Sequence, residues 1–551
     1  MSPTITLTGF RGAVLAEHPR SLPESVGVSV IDAEPGHSDL RGMRAAVAVA
    51  SVPTSPQRKT IYRLGRDTVN DGQYWLSWSS IVHAIRGFDG EDTTERTYFT
   101  GSGTPKWTDN VIGLAGGEPY PQGVRELAVP APTTAPQVSL TTDGTTGTES
   151  TNFYVTTFVN DLGWESAPSP VSAGLLMKPG AIVGIGNVTA LEAPPAGAYG
   201  INRRRIYRTQ AGTTNAAEFY FLREVPIATT STTDDARSLG ALMEVAGWIP
   251  PTASGFGLIA LWGGMTAMLS GKRILFSEPN KPYTYPEKYD ITTLDTPLAT
   301  AKWGEQNMLV LTTGRPVLCQ GTSPESMDDS PLALSQPLAS VQSVVSFGHG
   351  VCWASNEGLA YTGSSGQANL MDGILTPRQW RAMNPPSMVA GRYGRFYVCS
   401  YTVDGARKGF MVDPLKPEGL WHLSEGFDAC FYDDLASALF VLVGGQVRKF
   451  DSGAQMVAKF VSKRFLQTTP RNFGFAKVVA TTFPVTLIVT ARCTNADGTE
   501  RLRSETRTVL NEYAFTLRDG FLADDWQIEV HAPESVQAVR LAMDIRDLRG
   551  I

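Results

Sequence analysis

The chain has 551 residues, 42% hydrophobic and 18% charged, which supplies a large core and excludes a wholly disordered polymer. Its 47 Lys+Arg against 53 Asp+Glu give a formal charge of −6 with no basic block, which argues against tight binding to duplex nucleic acid. The 54 glycines and 36 prolines suit many short strands joined by tight turns, and the length predicts several domains.

The opening residues Met1–Ile5 lack a basic stretch followed by an apolar one, so no secretory signal is expected. No run approaches the roughly 18 apolar residues of a membrane span. Tyr74-Trp75-Leu76-Ser77-Trp78, Ile81–Ile85 and Arg96–Thr100 read as strands that would add a blade to the array described below. A Thr/Pro/Ala-rich linker, Val129–Thr134, then opens a region of short alternating strands. These are Phe153–Val159, Ile201–Arg208 and Phe219–Val225, with a turn at Asn160–Gly163. The pattern predicts an immunoglobulin- or fibronectin-like sandwich over 130–251. Arg237–Val245 reads as a short helix.

The clearest order lies beyond 252. Five segments each place an aromatic before a turn residue: Trp262-Gly263, Trp303-Gly304, Phe347-Gly348, Tyr393-Gly394 and Tyr432-Asp433. They recur every 39–46 residues, close to blade spacing. Each is followed by an apolar strand, a second turn and a returning strand. The second turns are Ser270-Gly271-Lys272, Thr313-Gly314-Arg315, Asn356-Glu357-Gly358, Val403-Asp404-Gly405 and Val443-Gly444-Gly445. Glycine supplies the positive φ of a tight hairpin, and one small meander cannot bury both faces, so neighbours must stack. The repeat predicts a β-propeller, with a less regular β array as the alternative. Thr376 followed by Pro377 starts a short helix that Pro385-Pro386 stops. The tail reads as strands from about Phe473, including Val485–Val489 and Val536–Ile545, with a hairpin at Asn495-Ala496-Asp497-Gly498. The fold class is thus mainly β: a discontinuous propeller with an inserted sandwich and a C-terminal β-rich region. The boundaries are 1–129, 130–251, 252–470 and 471–551.

No constellation looks catalytic, and no cofactor or metal site is expected. The six histidines are scattered, and no His/Cys cluster has zinc-ligand spacing. Gly184-Ile185-Gly186 lacks the third glycine and the helix of a nucleotide fingerprint. The five cysteines lie far apart in apolar runs and read as buried reduced thiols. Acidic pairs at Asp234-Asp235, Asp328-Asp329, Asp433-Asp434 and Asp524-Asp525 read as surface turns, since strand neighbours point to opposite faces and make no glycosidase pair. Trp262, Trp303 and Trp353 read as core rather than ligand platforms. The local charge feature is Arg203-Arg204-Arg205 with Arg208. Arg203, Arg205 and Arg208 form the candidate partner interface, weighed against a solvated sheet face.

Several stretches, in order, resemble the tail nozzle proteins of short-tailed bacteriophages, also called tail tubular protein B. They are Gly9-Phe10-Arg11-Gly12 with Leu22-Pro23; Asp92–Gly101 with Pro105 and Thr108-Asp109; and Arg205–Thr209 with Phe219–Phe221. Phe276-Ser277-Glu278-Pro279-Asn280-Lys281-Pro282-Tyr283, continued by Tyr285-Pro286 and Tyr289, is the most telling. Ser462–Phe465 and Phe515–Gly520 resemble closing segments. The resemblance implies a non-enzymatic virion subunit, made in the host cytoplasm and assembled as a hexamer below the portal and its adaptor (connector) ring. There the ring would surround the DNA ejection channel without sequence-specific contact, the inserted sandwich would be a platform facing the adaptor, and tail fibres would dock near the junction. The chain is short for some members of that family, which implies reduced nozzle-tip insertions and puts a gate at the tip in doubt. A propeller enzyme acting on host polysaccharide, or a monomeric propeller binding carbohydrate or protein, is the alternative.

Overall fold

The computed structural model describes residues 4–65, 70–210, 218–494, 499–517 and 521–548. The fold is mainly β, built from many sheets, and its α-helix among the described residues is Pro377–Ala382. Thr376 caps that helix: its hydroxyl accepts from the Gln379 backbone amide, and the Gln379 side chain accepts from the Thr376 amide.

Six four-stranded antiparallel units follow one pattern, five of them separate sheets and one the end of a ten-stranded sheet. Sheet 1 runs through His83–Arg86, Thr97–Thr100, Lys106–Thr108 and Arg125–Glu126. After a long excursion, sheet 2 (Phe256–Ala260 to Ile291–Thr292), sheet 3 (Pro297–Trp303 to Asp328–Pro331) and sheet 4 (Val345–Phe347 to Gly366–Asn369) are simple meanders. Sheet 5 runs from Val389–Tyr393 to Trp421–Leu423. Sheet 6 takes Ala429–Asp433, Ala438–Val443 and Gln446–Lys449 from one stretch and its outer strand, Val47–Ser51, from near the N-terminus. A two-stranded sheet, Thr60–Arg63 with Trp75–Trp78, stands between sheets 6 and 1.

The five aromatic pairs of the repeat sit where the first strand of sheets 2 to 6 turns into the second, and the five glycine-bearing turns join the second strand to the third. Gly271, Gly304, Gly394 and Gly405 adopt the positive φ their hairpins require. First strands of successive sheets lie side by side. A separate apolar cluster fills each gap: Met268 and Leu275 with Tyr98 between sheets 1 and 2, Phe276 with Met308 between 2 and 3, Leu309 with Trp353 between 3 and 4, and Tyr361 with Tyr397 between 4 and 5. Val398 with Val441 fills the next gap, Trp75 with Phe440 the one after, and Trp78 with Phe99 leads back to sheet 1. The series of clusters therefore returns to its start. At roughly 25 cal/mol per Å² of apolar surface removed from water, these seams are the main source of cohesion.

The excursion forms a unit of its own. Its larger sheets are Val138–Thr142, Ile182–Ile185 and Thr232–Asp234, and Tyr154–Asn160, Ile201–Thr209 and Phe219–Pro226. Tyr154 and Ile206 of one pack against Val183 and Ile185 of the other. The expected helix at Arg237–Val245 is not formed. That stretch is irregular, and Leu242 bridges to Tyr220 instead, so backbone pairing to the sheet edge overrides the local propensity.

The C-terminal strands Ala458–Arg471, Ala523–Ala532, Val485–Thr494 and Glu500–Val509 extend sheet 5 through the N-terminal strand Val26–Ile31. The strand Ala458–Arg471 spans the boundary expected at 470. The strand Val536–Ala542 ends the region predicted as Val536–Ile545 and pairs with Thr4–Thr8. The hairpin expected at Asn495–Gly498 and part of the closing segment, Arg518–Gly520, lie outside the described residues.

Candidate functional site: a charged, aromatic joint and a cavity

Two of the stretches that carry the resemblance meet in space. Asp92 organises the first: its carboxylate accepts from the Thr94 amide (2.9 Å), the Thr94 hydroxyl (2.6 Å) and the Arg96 amide (2.7 Å). The turn delivers Arg96 over the rings of Trp107 (5.7 Å) and Trp164 (5.9 Å). At its far end Gly101, at φ +99, could carry no side chain, because a Cβ there would lie 2.1 Å from the Ile81 carbonyl oxygen.

The second stretch is a tight turn in which Glu278 bridges to Lys281 and Asn280 adopts φ 59. It presents Tyr283, which stacks on Trp164 of the inserted unit at 4.8 Å with ring planes 14° apart. Trp248 meets Tyr283 edge-on at 6.0 Å, and the Lys281 ammonium lies 4.4 Å above the Trp248 ring. Burial pushes the Tyr283 phenol up to about 12, so it stays neutral.

The arginine cluster lies behind this joint. Arg205 donates to Glu165 (2.6 Å) and Glu224 (2.9 Å), and Arg203 donates to Glu224 (3.0 Å). Glu165 also accepts from the hydroxyls of Thr157 and Tyr207, both at 2.6 Å. Burial raises Glu224, but hydrogen bonds from Arg205 and Arg203 outweigh it and hold the carboxyl below its usual value. Arg208 donates to the buried Asp234 at 2.5 Å, and Tyr154 donates to the same oxygen at 2.7 Å. Arg203, Arg205 and Arg208 thus spend their charge inside the chain, on carboxylates 19 to 40 positions away that sequence spacing gave no means of pairing with them. Arg204, on the face opposite Arg203 and Arg205, is 1% exposed, donates to the Thr229 carbonyl (3.1 Å) and lies over Phe158 (5.5 Å).

The acidic pairs are not uniformly surface turns. Asp234, Asp433 and Asp525 are buried, and each neutralises arginine: Arg208, Arg63, and the trio Arg20, Arg464 and Arg492. Their neighbours Asp235 and Asp434 point outward, as strand alternation requires. Asp328 and Asp329 are exposed on a strand rather than in a turn.

The first strands of sheets 3 to 6 border an open cavity of 480 Å³ lined by Lys302, Trp303, Ser346, Arg392, Tyr432 and Asp434. A second, of 260 Å³, shares Phe431 and Asp434 with it and contains Arg63, Arg86, Glu95 and Asp433. Every carboxylate in them faces an arginine: Asp434 meets Arg392 at 3.3 Å, Asp433 meets Arg63 at 3.1 Å, and Glu95 meets Arg86. Arg392 also covers Tyr432 at 4.1 Å. Trp303 and Trp353 are core residues, and Trp262 is partly exposed. Lys302 donates to the Ala260 carbonyl at 2.5 Å, and desolvation holds its ammonium below the usual value. Cys319, Cys352 and Cys399 are buried while Cys430 and Cys493 are half-buried, and none of the five forms a disulfide. Burial pushes the Cys319 and Cys430 thiols up to about 12, which suppresses the nucleophilic thiolate. Among the described residues no group of three His, Cys, Asp or Glu is placed to hold a metal ion, and no helix is long and apolar enough to cross a membrane.

No family model matches the chain, and no curated protein matches it. Among solved structures, the exo-β-1,3-galactanase of Phanerochaete chrysosporium is 8% identical, covering 55% of this chain and 97% of that one at a TM-score of 0.21. The extracellular domain of a one-component system from B. thetaiotaomicron is 7% identical, covering 95% of this chain and 62% of that one at a TM-score of 0.28. Likenesses this slight assign neither detailed fold nor activity.

Proposed function

We propose that the protein is a non-catalytic structural subunit of the tail nozzle of a short-tailed bacteriophage. In this reading the six four-stranded sheets and the two-stranded one are blades of a discontinuous β-propeller, and the excursion is an immunoglobulin/fibronectin-like sandwich serving as a platform. Hexameric rings of the subunit extend the DNA ejection channel below the portal and adaptor, and offer docking surfaces for tail fibres.

The observation that carries the reading is the joint. Asp92–Gly101 and Phe276–Tyr283, which resemble nozzle proteins most closely, converge on Trp164 and fasten the inserted unit to the blades through stacked rings. A device that transmits force between an adaptor and a channel needs such a fixed angle. Charges cancelled pairwise also suit a load-bearing part better than a reactive one. The test is to label the protein in native particles and image them by electron microscopy. Signal on the short tail, with sixfold density around an axial channel, is the expected result. Absence from every particle, or signal on peripheral fibres alone, overturns it.

A second reading, a propeller that binds or cleaves host polysaccharide, is favoured by the 480 Å³ cavity with Tyr432 and Asp434 at its wall. It predicts sugar release or saturable sugar binding by the purified chain.

A further inference from the structure

The charge of the chain is unevenly spread. Residues 458–551 carry 13 Lys+Arg against 11 Asp+Glu, a balance of +2, so with −6 overall the preceding residues stand at −8. Within this end the strand Glu500–Val509 carries Arg501, Arg503 and Arg507 against Glu500 and Glu505, and among the described residues it is the last in its sheet, paired with Val485–Thr494. It is ten residues long, about 33 Å of backbone at the rise of a strand, and its first five residues are all exposed. Arg501 and Arg503 project on one face over the ring of Phe521 (5.5 and 5.2 Å), and Arg507 lies over Phe515 (5.9 Å). Leu502 on the strand, and Leu510 and Tyr513 just after it, are 58%, 71% and 81% exposed. A long outer edge with solvent-facing apolar side chains is a template for another strand, and its charges select which one.

A complementary edge exists on the same chain. Sheet 3 ends in Asp328-Asp329-Ser330-Pro331, again an outermost strand, with all four residues exposed. The side chain of Glu325, just before it, is 71% exposed. The two edges belong to different sheets and carry opposite charge.

We propose that Glu500–Val509 of one copy adds to the outer edge of Asp328–Pro331 of a second copy, so that the face carrying Arg501, Arg503 and Arg507 meets Asp329. The occupant of each edge is thus a second copy of this chain. Because the two surfaces differ, the contact is head-to-tail, and repetition closes a ring or extends a filament. It rests on the nozzle reading for ring closure in the virion, not for the contact itself. The contact weakens with salt, since the charges are exposed.

The test uses the full chain with Ser330→Cys and Ser504→Cys, oxidised mildly at low ionic strength, with each single variant as a control for the native thiols. A ladder of disulfide-linked chains that needs both new cysteines is expected. Asp328→Lys with Asp329→Lys lowers its yield about tenfold, as does Arg501→Glu with Arg507→Glu, each removing several exposed attractions. Combining both pairs of reversals in one chain restores the ladder, which separates lost complementarity from lost folding. No ladder, a ladder indifferent to these reversals, or failure of the combined variant to restore it overturns the proposal. A salt-sensitive ladder from a protein absent from virions sinks the nozzle reading alone. A labelled tail whose subunits never cross-link sinks this contact alone.

Discussion

The repeated sheets hold their two appendages by different means. The inserted unit is fastened through side chains, with Trp164 lying on Tyr283 and under Arg96. The C-terminal unit is fastened through backbone: Asp32 donates to the His422 carbonyl (2.9 Å), Ala13 and Leu420 exchange amide hydrogen bonds (2.8 and 2.9 Å), and Val26–Ile31 pairs onward to Ala458–Arg471. A joint made of rings concentrates its strength in a few residues and sets an angle. A joint made of amides spreads its strength along a ladder, where single side chains matter less unless one is a buried charge.

The contrast breaks first at Trp164. Trp164→Ala is expected to cost about 4 kcal/mol, as large aromatic truncations in cores do, and to expose the linkers at 130–134 and 249–252 to protease. Thermal unfolding with limited proteolysis reads both, and an unchanged cleavage pattern would remove the joint from its assigned role. On the backbone side the sensitive point is Asp525, 1% exposed among Arg20, Arg464 and Arg492. Asp525→Asn leaves that positive cluster uncompensated and is expected to cost about 3 kcal/mol in urea unfolding. A shift no larger than that of a surface variant would mean the backbone ladder alone holds the C-terminal unit.

Three smaller effects sharpen the comparison, two among the repeated sheets and one in the inserted unit. Burial pushes the His83 imidazole down to about 4, against about 6.5 in an unfolded chain. Below pH 6.5 the unfolded chain binds a proton that the folded one does not, so the stability is complete above 6.5 and is lost as pH falls towards 4. Discounted for the partial exposure of His83, the loss is about 1–2 kcal/mol, and it is absent in His83→Gln. Thr376→Ala removes the helix cap for about 1 kcal/mol, seen as a lower unfolding midpoint. Arg203→Ala, whose ion pair with Glu224 is partly exposed, is expected to cost about 0.5 kcal/mol or less. A large loss of particle assembly from that variant with unchanged unfolding would identify Arg203 as an interface residue after all.

The local half of this architecture was legible in the sequence and the distant half was not. Aromatic-turn pairs such as Trp303-Gly304 and glycine turns such as Ser270-Gly271-Lys272 announce hairpins because both strands lie within a few residues of the turn. Strand alternation likewise marked Tyr154–Asn160 and Ile201–Thr209. Nothing in Val47–Ser51 says that it finishes a sheet begun at Ala429. The partners of Arg205 were hidden for the same reason, since Glu165 reaches it only through cross-strand register. Arg237–Val245 failed as a helix because its propensity was read without the sheet edge beside it.

The outer strand Val47–Ser51 has a consequence in time. It pairs with Gln446–Lys449, about 400 residues further along the chain. At the roughly 5–20 residues per second of synthesis, a ribosome takes on the order of 20–80 s to deliver that partner. Throughout that interval an uncharged Ala-Val-Ala-Val-Ala stretch, Ala46 to Ala50, has been made and has no place to go. Until Gln446–Lys449 is made that strand lacks its partner, and Thr4–Thr8 waits longer still for Val536–Ala542.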